Sequence, residues 1–182
     1  MAAASKVLTY EEWLKMPEVE GVEEVVDGEV HILPPASWEH AVVVKRLERQ
    51  LEKRVDEESV YVMASSLGVV VSHNPLRSRV PDIAMFRTEN VVAQDGYVHS
   101  PPELAVEVLS PGNMRQEQTR KLRDYELLGV PEVWIVSPEG RTIEIMQLTD
   151  GKLVTTSIVN GGELRPKLFP EAAVEVDRVW PD

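Results

Sequence analysis

An α/β fold, a mixed β-sheet core flanked by helices with additional β-hairpins, is the architecture this chain predicts. Three observations carry it. Runs of β-forming residues outnumber helical patterns, and the two long helical periodicities stand at separate points in the order. Two Asp-Gly pairs, Asp27-Gly28 and Asp150-Gly151, each sit between β-prone runs, which is a good short-range hairpin signal. Elements mixed in this way bury their apolar faces as a sheet covered by helices.

Thr9 followed by Glu12 is a capping-box pattern and predicts a short helix from Tyr10 to about Met16. Pro17 and Gly21 end it. The Asp27-Gly28 hairpin joins Glu23 to Val26 with Glu29 to Leu33, and Pro34-Pro35 closes it. Ser37 is placed to cap a longer helix, in which Val43, Leu47, Leu51 and Val55 recur every fourth residue as one buried stripe. Its other face carries Lys45, Arg46, Glu48, Arg49 and Glu52, and reads most simply as solvated. Val60 to Ala64 and Gly68 to Val71 read as strands, His73 to Arg79 as a loop, and Val80 to Phe86 as a strand. A polar loop is expected from Arg87 to Pro102, then a strand over Leu104 to Leu109. Asn113 and Gln116 suggest the capped start of a helix to Leu128, with Gly129 as the left-handed residue after its last turn. Glu132 to Val136 is a strand, Thr142 to Leu148 and Lys152 to Ser157 form the second hairpin, and Val174 to Val176 adds an edge strand.

At 182 residues the chain fits one domain, residues 1–182, with a real core. Apolar content of 43% with 27% charged residues is that of a soluble globular protein. The absence of cysteine excludes a disulfide framework and a thiolate metal site. The start, Met1 to Lys6, lacks the apolar core of a signal peptide, and no apolar run approaches the roughly 20 residues needed to cross a bilayer. A cytoplasmic protein without a membrane partner is expected. The net charge of −12 opposes tight non-specific binding of nucleic acid. It leaves room for a metal-filled cleft with local arginines.

Three charged residues sit where a folded chain resists having them. Asp82 lies inside the apolar run Val80 to Phe86, Glu107 inside Leu104 to Leu109, and Lys121 on the helix that follows. Strands alternate their faces, so Asp82 shares one with Val80, Ala84 and Phe86, and Glu107 shares one with Ala105 and Leu109. Burying a lone carboxylate costs several kcal/mol or forces it to take up a proton. Two such groups on neighbouring strands make sense around a cation, and a hard divalent ion takes oxygen ligands. Lys121 shares its helical face with Tyr125 and Leu128, the stripe that packs on the sheet. Asp82, Glu107 and Lys121 are therefore expected to form one cluster.

At these residues the chain resembles a known family. Pro81-Asp82 followed by Glu107 is similar to the proline-aspartate … glutamate-x-lysine pattern of the restriction-endonuclease-like superfamily. More closely, the chain resembles the Uma-type family of that superfamily. The matching pieces are Glu24 to Glu29, Pro34-Pro35 with His40, Val80-Pro81-Asp82, Val106 to Pro111, Lys121 with Tyr125, and Gly129 to Trp134. They span most of the chain in order. The resemblance implies a restriction-endonuclease-like mixed β-sheet core, cleavage of DNA phosphodiester bonds with Mg²⁺ (or Mn²⁺), and a homodimer. It also implies Asp82, Glu107 and Glu24 as metal ligands, and Lys121 as the lysine of the pattern, moved to the helix because position 109 is Leu109. His40 is a further catalytic candidate, able to bond phosphate or water.

Plainer readings stand beside these. Lys121 could extend to water from the helix edge, Glu24 could be a solvated hairpin residue, and His40 a satisfied histidine in a helix's first turn. His31, His73 and His99 show no metal-ligand spacing. Arg77 and Arg79 could meet phosphates or lie in a solvated loop, and Tyr125 and Trp134 read as core. The endonuclease reading leads. Its alternatives are a catalytically silent nuclease-fold interaction module and a metal-dependent hydrolase of a small phosphate ester.

Overall fold

The elements run in the order α1 (Tyr10–Trp13), β1 (Val22–Val26), β2 (Glu29–Leu33), α2 (Trp38–Glu52), β3 (Val60–Ala64), β4 (Val69–His73), β5 (Leu76–Arg79), β6 (Ile83–Arg87), β7 (Ala93–Gln94), β8 (Tyr97–Val98), β9 (Leu104–Val108), α3 (Arg115–Leu128), β10 (Glu132–Ser137), β11 (Thr142–Thr149), β12 (Lys152–Val159), β13 (Glu163–Leu164) and β14 (Val174–Glu175). The computed structural model describes residues 7–17, 20–64, 67–110 and 115–181. Among the described residues no helix is long and apolar enough to cross a membrane.

The central sheet has the order β12-β11-β10-β9-β6-β3. Only β9 and β10 pair in parallel within it, because the α3 crossover returns the chain in the same direction. Strand β9 is buried along its whole length and splits its side chains between two layers. Leu104, Val106 and Val108 face the stripe of α2, Val43, Val44, Leu47 and Leu51, together with Trp134 and the tail residues Phe169, Val174 and Trp180. Ala105 faces the other way, toward Tyr125 on α3, with Val133, Ile135 and Leu153. Glu107 follows the parity of Ala105 and so lies on the α3 side.

The Asp27-Gly28 hairpin joins a second sheet, β2-β1-β5-β4-β8-β7, while the Asp150-Gly151 hairpin, β11–β12, extends the central one. Strand β4 packs against α3. Asp27-Gly28 and Asp150-Gly151 both turn with positive φ, at 52° and 79°, then 50° and 75°. These are the left-handed positions that favour such residues. Gly129 follows α3 at φ 84°, and its amide reaches back to Tyr125.

Several expectations are corrected in detail. The stretch from Leu76 to Arg79 is a strand, not a loop: it pairs with β1 and β4 and buries Leu76, Ser78 and Arg79. Its two arginines hid the alternation. The polar segment from Arg87 to Pro102 contains the small hairpin β7–β8, turned by Asp95 and Gly96. The first helix keeps its capping box but is α-helical only over Tyr10–Trp13. The tail strand β14 pairs with β13 in a separate two-stranded sheet. The proposed cap at Asn113 lies outside the described residues.

Candidate active site

Strand β6 runs antiparallel to β9 with Ile83 opposite Val106. One step further this register sets Asp82 across from Glu107, and residues opposed in an antiparallel ladder project to the same side. The turn entering β6 is held by Asp82 itself, whose Oδ2 accepts the Val108 amide at 2.7 Å. Its Oδ1 lies 3.1 Å from His40 Nε2, and His40 Nδ1 lies 3.0 Å from Ser110 Oγ. The Ser37 side chain caps α2 through the His40 amide at 3.2 Å, which fixes the first turn of the helix and brings the imidazole to the end of the sheet. The hydrogen bond to Asp82 raises the histidine above its ordinary value, and burial opposes that rise.

Glu107 is 7% exposed and draws two donors from α3. Lys121 Nζ lies 2.8 Å from its Oε2, and the Tyr125 hydroxyl donates to its Oε1. Burial pushes the Glu107 carboxyl up to about 7, with the Asp82 and Glu24 charges adding and the Lys121 ammonium opposing. Burial alone would lower Lys121, but Glu107 and Glu24 outweigh it and keep the ammonium charged. Tyr125 is raised well above its ordinary value by burial and the adjoining carboxylate. Its hydroxyl stays protonated and remains a donor.

Glu24 enters from β1 on the second sheet and is 1% exposed. Its Oε1 meets Lys121 Nζ and the Val80 amide, each at 3.1 Å, and its Oε2 meets Arg79 Nη1 at 2.8 Å. Both oxygens accept from cations or an amide, as both oxygens of Asp82 and of Glu107 also have partners. Glu24 is not a solvated hairpin residue; it brackets Lys121 and ties its strand to α3.

The five predicted residues therefore meet at one place. Asp82, Glu107, Lys121, Glu24 and His40 line a cavity of about 1060 Å³, together with the apolar Ile32, Leu33, Pro34 and Pro35. Reading the sequence missed the support behind it. Arg79 is fully buried on β5 and binds Glu24, Glu117 at 2.8 Å and Asp124 at 2.7 Å. Asp124 also takes Arg77 Nη1 at 2.8 Å. Asp124 follows the i, i+3 row of α3 from Lys121, a signal that was available. Arg79 offered none apart from its two-residue spacing from Arg77. His73 and His99, distant in sequence, come within 3.4 Å of each other; His99 bonds to the Tyr10 hydroxyl and His73 stacks on the Tyr10 ring, away from this site.

The donor set suits a hard divalent ion. Among the described residues no three histidine or carboxylate side chains converge closely enough to hold an ion by themselves. Mg²⁺ commonly sits on one or two carboxylates and completes its shell with water and substrate phosphate. Asp82 and Glu107, opposed on the sheet and lining one cavity, are the pair that would hold it.

Residues 9–177 match the family model Uma2, described as "Putative restriction endonuclease". None of the curated proteins matches the chain. Among solved structures, the chain is similar to a putative nuclease belonging to DUF820 from Anabaena variabilis, with a TM-score of 0.77 and 18% identity over 95% of this chain and 97% of that one. At that identity the likeness is one of fold, the restriction-endonuclease-like α/β core that the residues predict.

Proposed function

The chain belongs to the Uma2 family, and on that premise we propose that it is a divalent-metal-dependent endonuclease hydrolysing DNA phosphodiester bonds. The observation that carries the reading is the pairing of Asp82 and Glu107 on one face of the sheet, with Lys121 against Glu107 on the same cavity. Asp82 and Glu107 would hold Mg²⁺ or Mn²⁺. The ion supplies positive charge that activates water and offsets charge on the phosphoryl oxygens.

The remaining residues position and donate. Lys121 carries a permanent charge and exchanges one of its carboxylate contacts for the attacking water or a phosphoryl oxygen. Glu24 holds the ammonium while it does so. Tyr125 fixes one oxygen of Glu107, and His40 fixes Asp82, so both carboxylates meet their ligand in a set orientation. DNA as the substrate accords with the family.

The test is nicking of supercoiled plasmid with Mg²⁺, Mn²⁺ or EDTA, for the wild type beside Asp82→Asn. Cleavage that requires the metal and vanishes in the variant is expected. A variant that cuts like the wild type removes this site. Activity confined to a mononucleotide ester, with duplex and single strands untouched, replaces the reading with a small phosphate-ester hydrolase.

A further inference from the structure

Helix α2 pairs Lys45 with Glu48 at 2.7 Å. Its Arg46 and Arg49, with Lys53 and Arg54 just past the helix, line a groove of about 380 Å³ against Ala173, Glu175 and Arg178 of the tail. The floor of the groove is tied down. Arg46 donates to the Trp180 carbonyl, and Gln50 accepts from the Glu175 amide at 2.8 Å while donating to its carbonyl. At the rim Arg178 pairs with Glu175 at 2.7 Å. The side chains of Arg49, Lys53 and Arg54 make no ion pair with any described residue.

That arrangement is unexpected in a chain of net charge −12, where acidic partners abound. Arg49 and Lys53 stand four residues apart, a like-charge spacing that destabilises a helix. The helix dipole favours cations in the last turn, but it does not account for Arg46 or for Arg178, which the tail brings to the same groove. The shared feature is a row of cations facing an open channel, which complements a polyanion. His40, at the other end of α2, lines the active-site cavity. At about 1.5 Å per residue, His40 and Lys53 are about 20 Å apart along the axis, the length of roughly six base pairs of duplex.

We infer that this groove takes the phosphodiester backbone of the DNA flanking the bond that is cut. The inference rests on the nuclease reading for its ligand and makes a claim of its own. A local basic track, outside the catalytic cluster, lets an acidic protein hold duplex DNA.

The experiment is fluorescence anisotropy of a labelled 20-base-pair duplex in EDTA, so that binding is read without cleavage. Arg49→Glu/Lys53→Glu is compared with the wild type and with Lys15→Glu/Lys152→Glu, which changes the charge equally away from α2. The groove variant should bind at least about tenfold more weakly and lose about two from the slope of log affinity against log salt. The control variant should bind like the wild type, and circular dichroism melts report the fold of each. Equal weakening in both double variants, equal affinity in all three, or no binding by the wild type overturns the groove. Plasmid nicking by the wild type, run in parallel, separates the two claims. Groove-dependent binding without nicking sinks the nuclease reading alone, and nicking without groove dependence sinks this one alone.

Discussion

Lys121 Nζ lies 2.8 Å from Glu107 Oε2, joining a helix to the strand that precedes it. The resemblance expects a lysine two residues after the glutamate; here the ammonium beside Glu107 comes from α3. With Leu109 just past the strand, an ammonium carried on the next element occupies the space beside Glu107. Lys121→Met should reduce cleavage about 10²- to 10³-fold, the range for losing one stabilising donor. It also leaves the buried Glu107 without a cation, while Glu24 keeps Arg79, a change that costs about 3–5 kcal/mol when a buried pair loses one partner. Added Mg²⁺ should then raise the melting temperature of the variant more than that of the wild type. Equal rises would speak against a cation shared between Glu107 and Glu24.

His40 touches Asp82 at 3.1 Å and Ser110 at 3.0 Å, so it orients a carboxylate. Partners of metal ligands typically contribute 10- to 100-fold in metal affinity or activity. His40→Ala should shift the Mg²⁺ concentration for half-maximal cleavage upward within about that range. Saturating metal should recover most of the rate. A rate that stays low at saturation assigns His40 to the substrate instead.

The site was more legible than its frame, for a physical reason. Asp82 and Glu107 announce themselves because a charge inside an apolar strand is costly and needs a local explanation. Lys121 does so because it breaks the polar side of a helix. Arg79 gives no such sign: in Leu76-Arg77-Ser78-Arg79 the alternation of arginine with other residues reads as a solvated loop. Its burial depends on Glu24, Glu117 and Asp124, which lie on other elements and are invisible to any local window. The second sheet was obscured likewise, because β7 and β8 span two residues each. The basic track on α2 looked like a solvated face until the tail closed one side of it.

Arg79→Met should be more damaging than most core substitutions. The guanidinium is fully buried among three carboxylates, and its removal leaves Glu24 and Asp124 charged in the interior, at about 3–5 kcal/mol for a broken buried pair. Arg79→Lys should recover little, because an ammonium lacks the planar fork that reaches Glu24 and Asp124 together. Urea denaturation measures both. A lysine variant as stable as the wild type would show that net charge alone matters here.

Glu132 offers a pH test away from the catalytic cluster. It is 3% exposed at the start of β10 and accepts from Trp134 Nε1 at 2.7 Å, the Lys167 amide at 3.2 Å and Gln147 at 3.4 Å. Burial raises its carboxyl above the ordinary value, and these donors only partly oppose the shift. The folded state therefore holds a proton there that the unfolded chain releases more readily. Stability from this group is fully present below the unfolded value, near about 4.3, and is lost as pH rises through the higher folded value. In Glu132→Gln that dependence disappears, although one of the three accepted bonds is weakened at every pH. The difference in melting temperature, variant minus wild type, should therefore become more positive between pH 4 and pH 8, whatever its starting sign. A difference that is flat across the range, or that falls, would mean that the three donors hold the carboxylate ionised and that burial does not dominate.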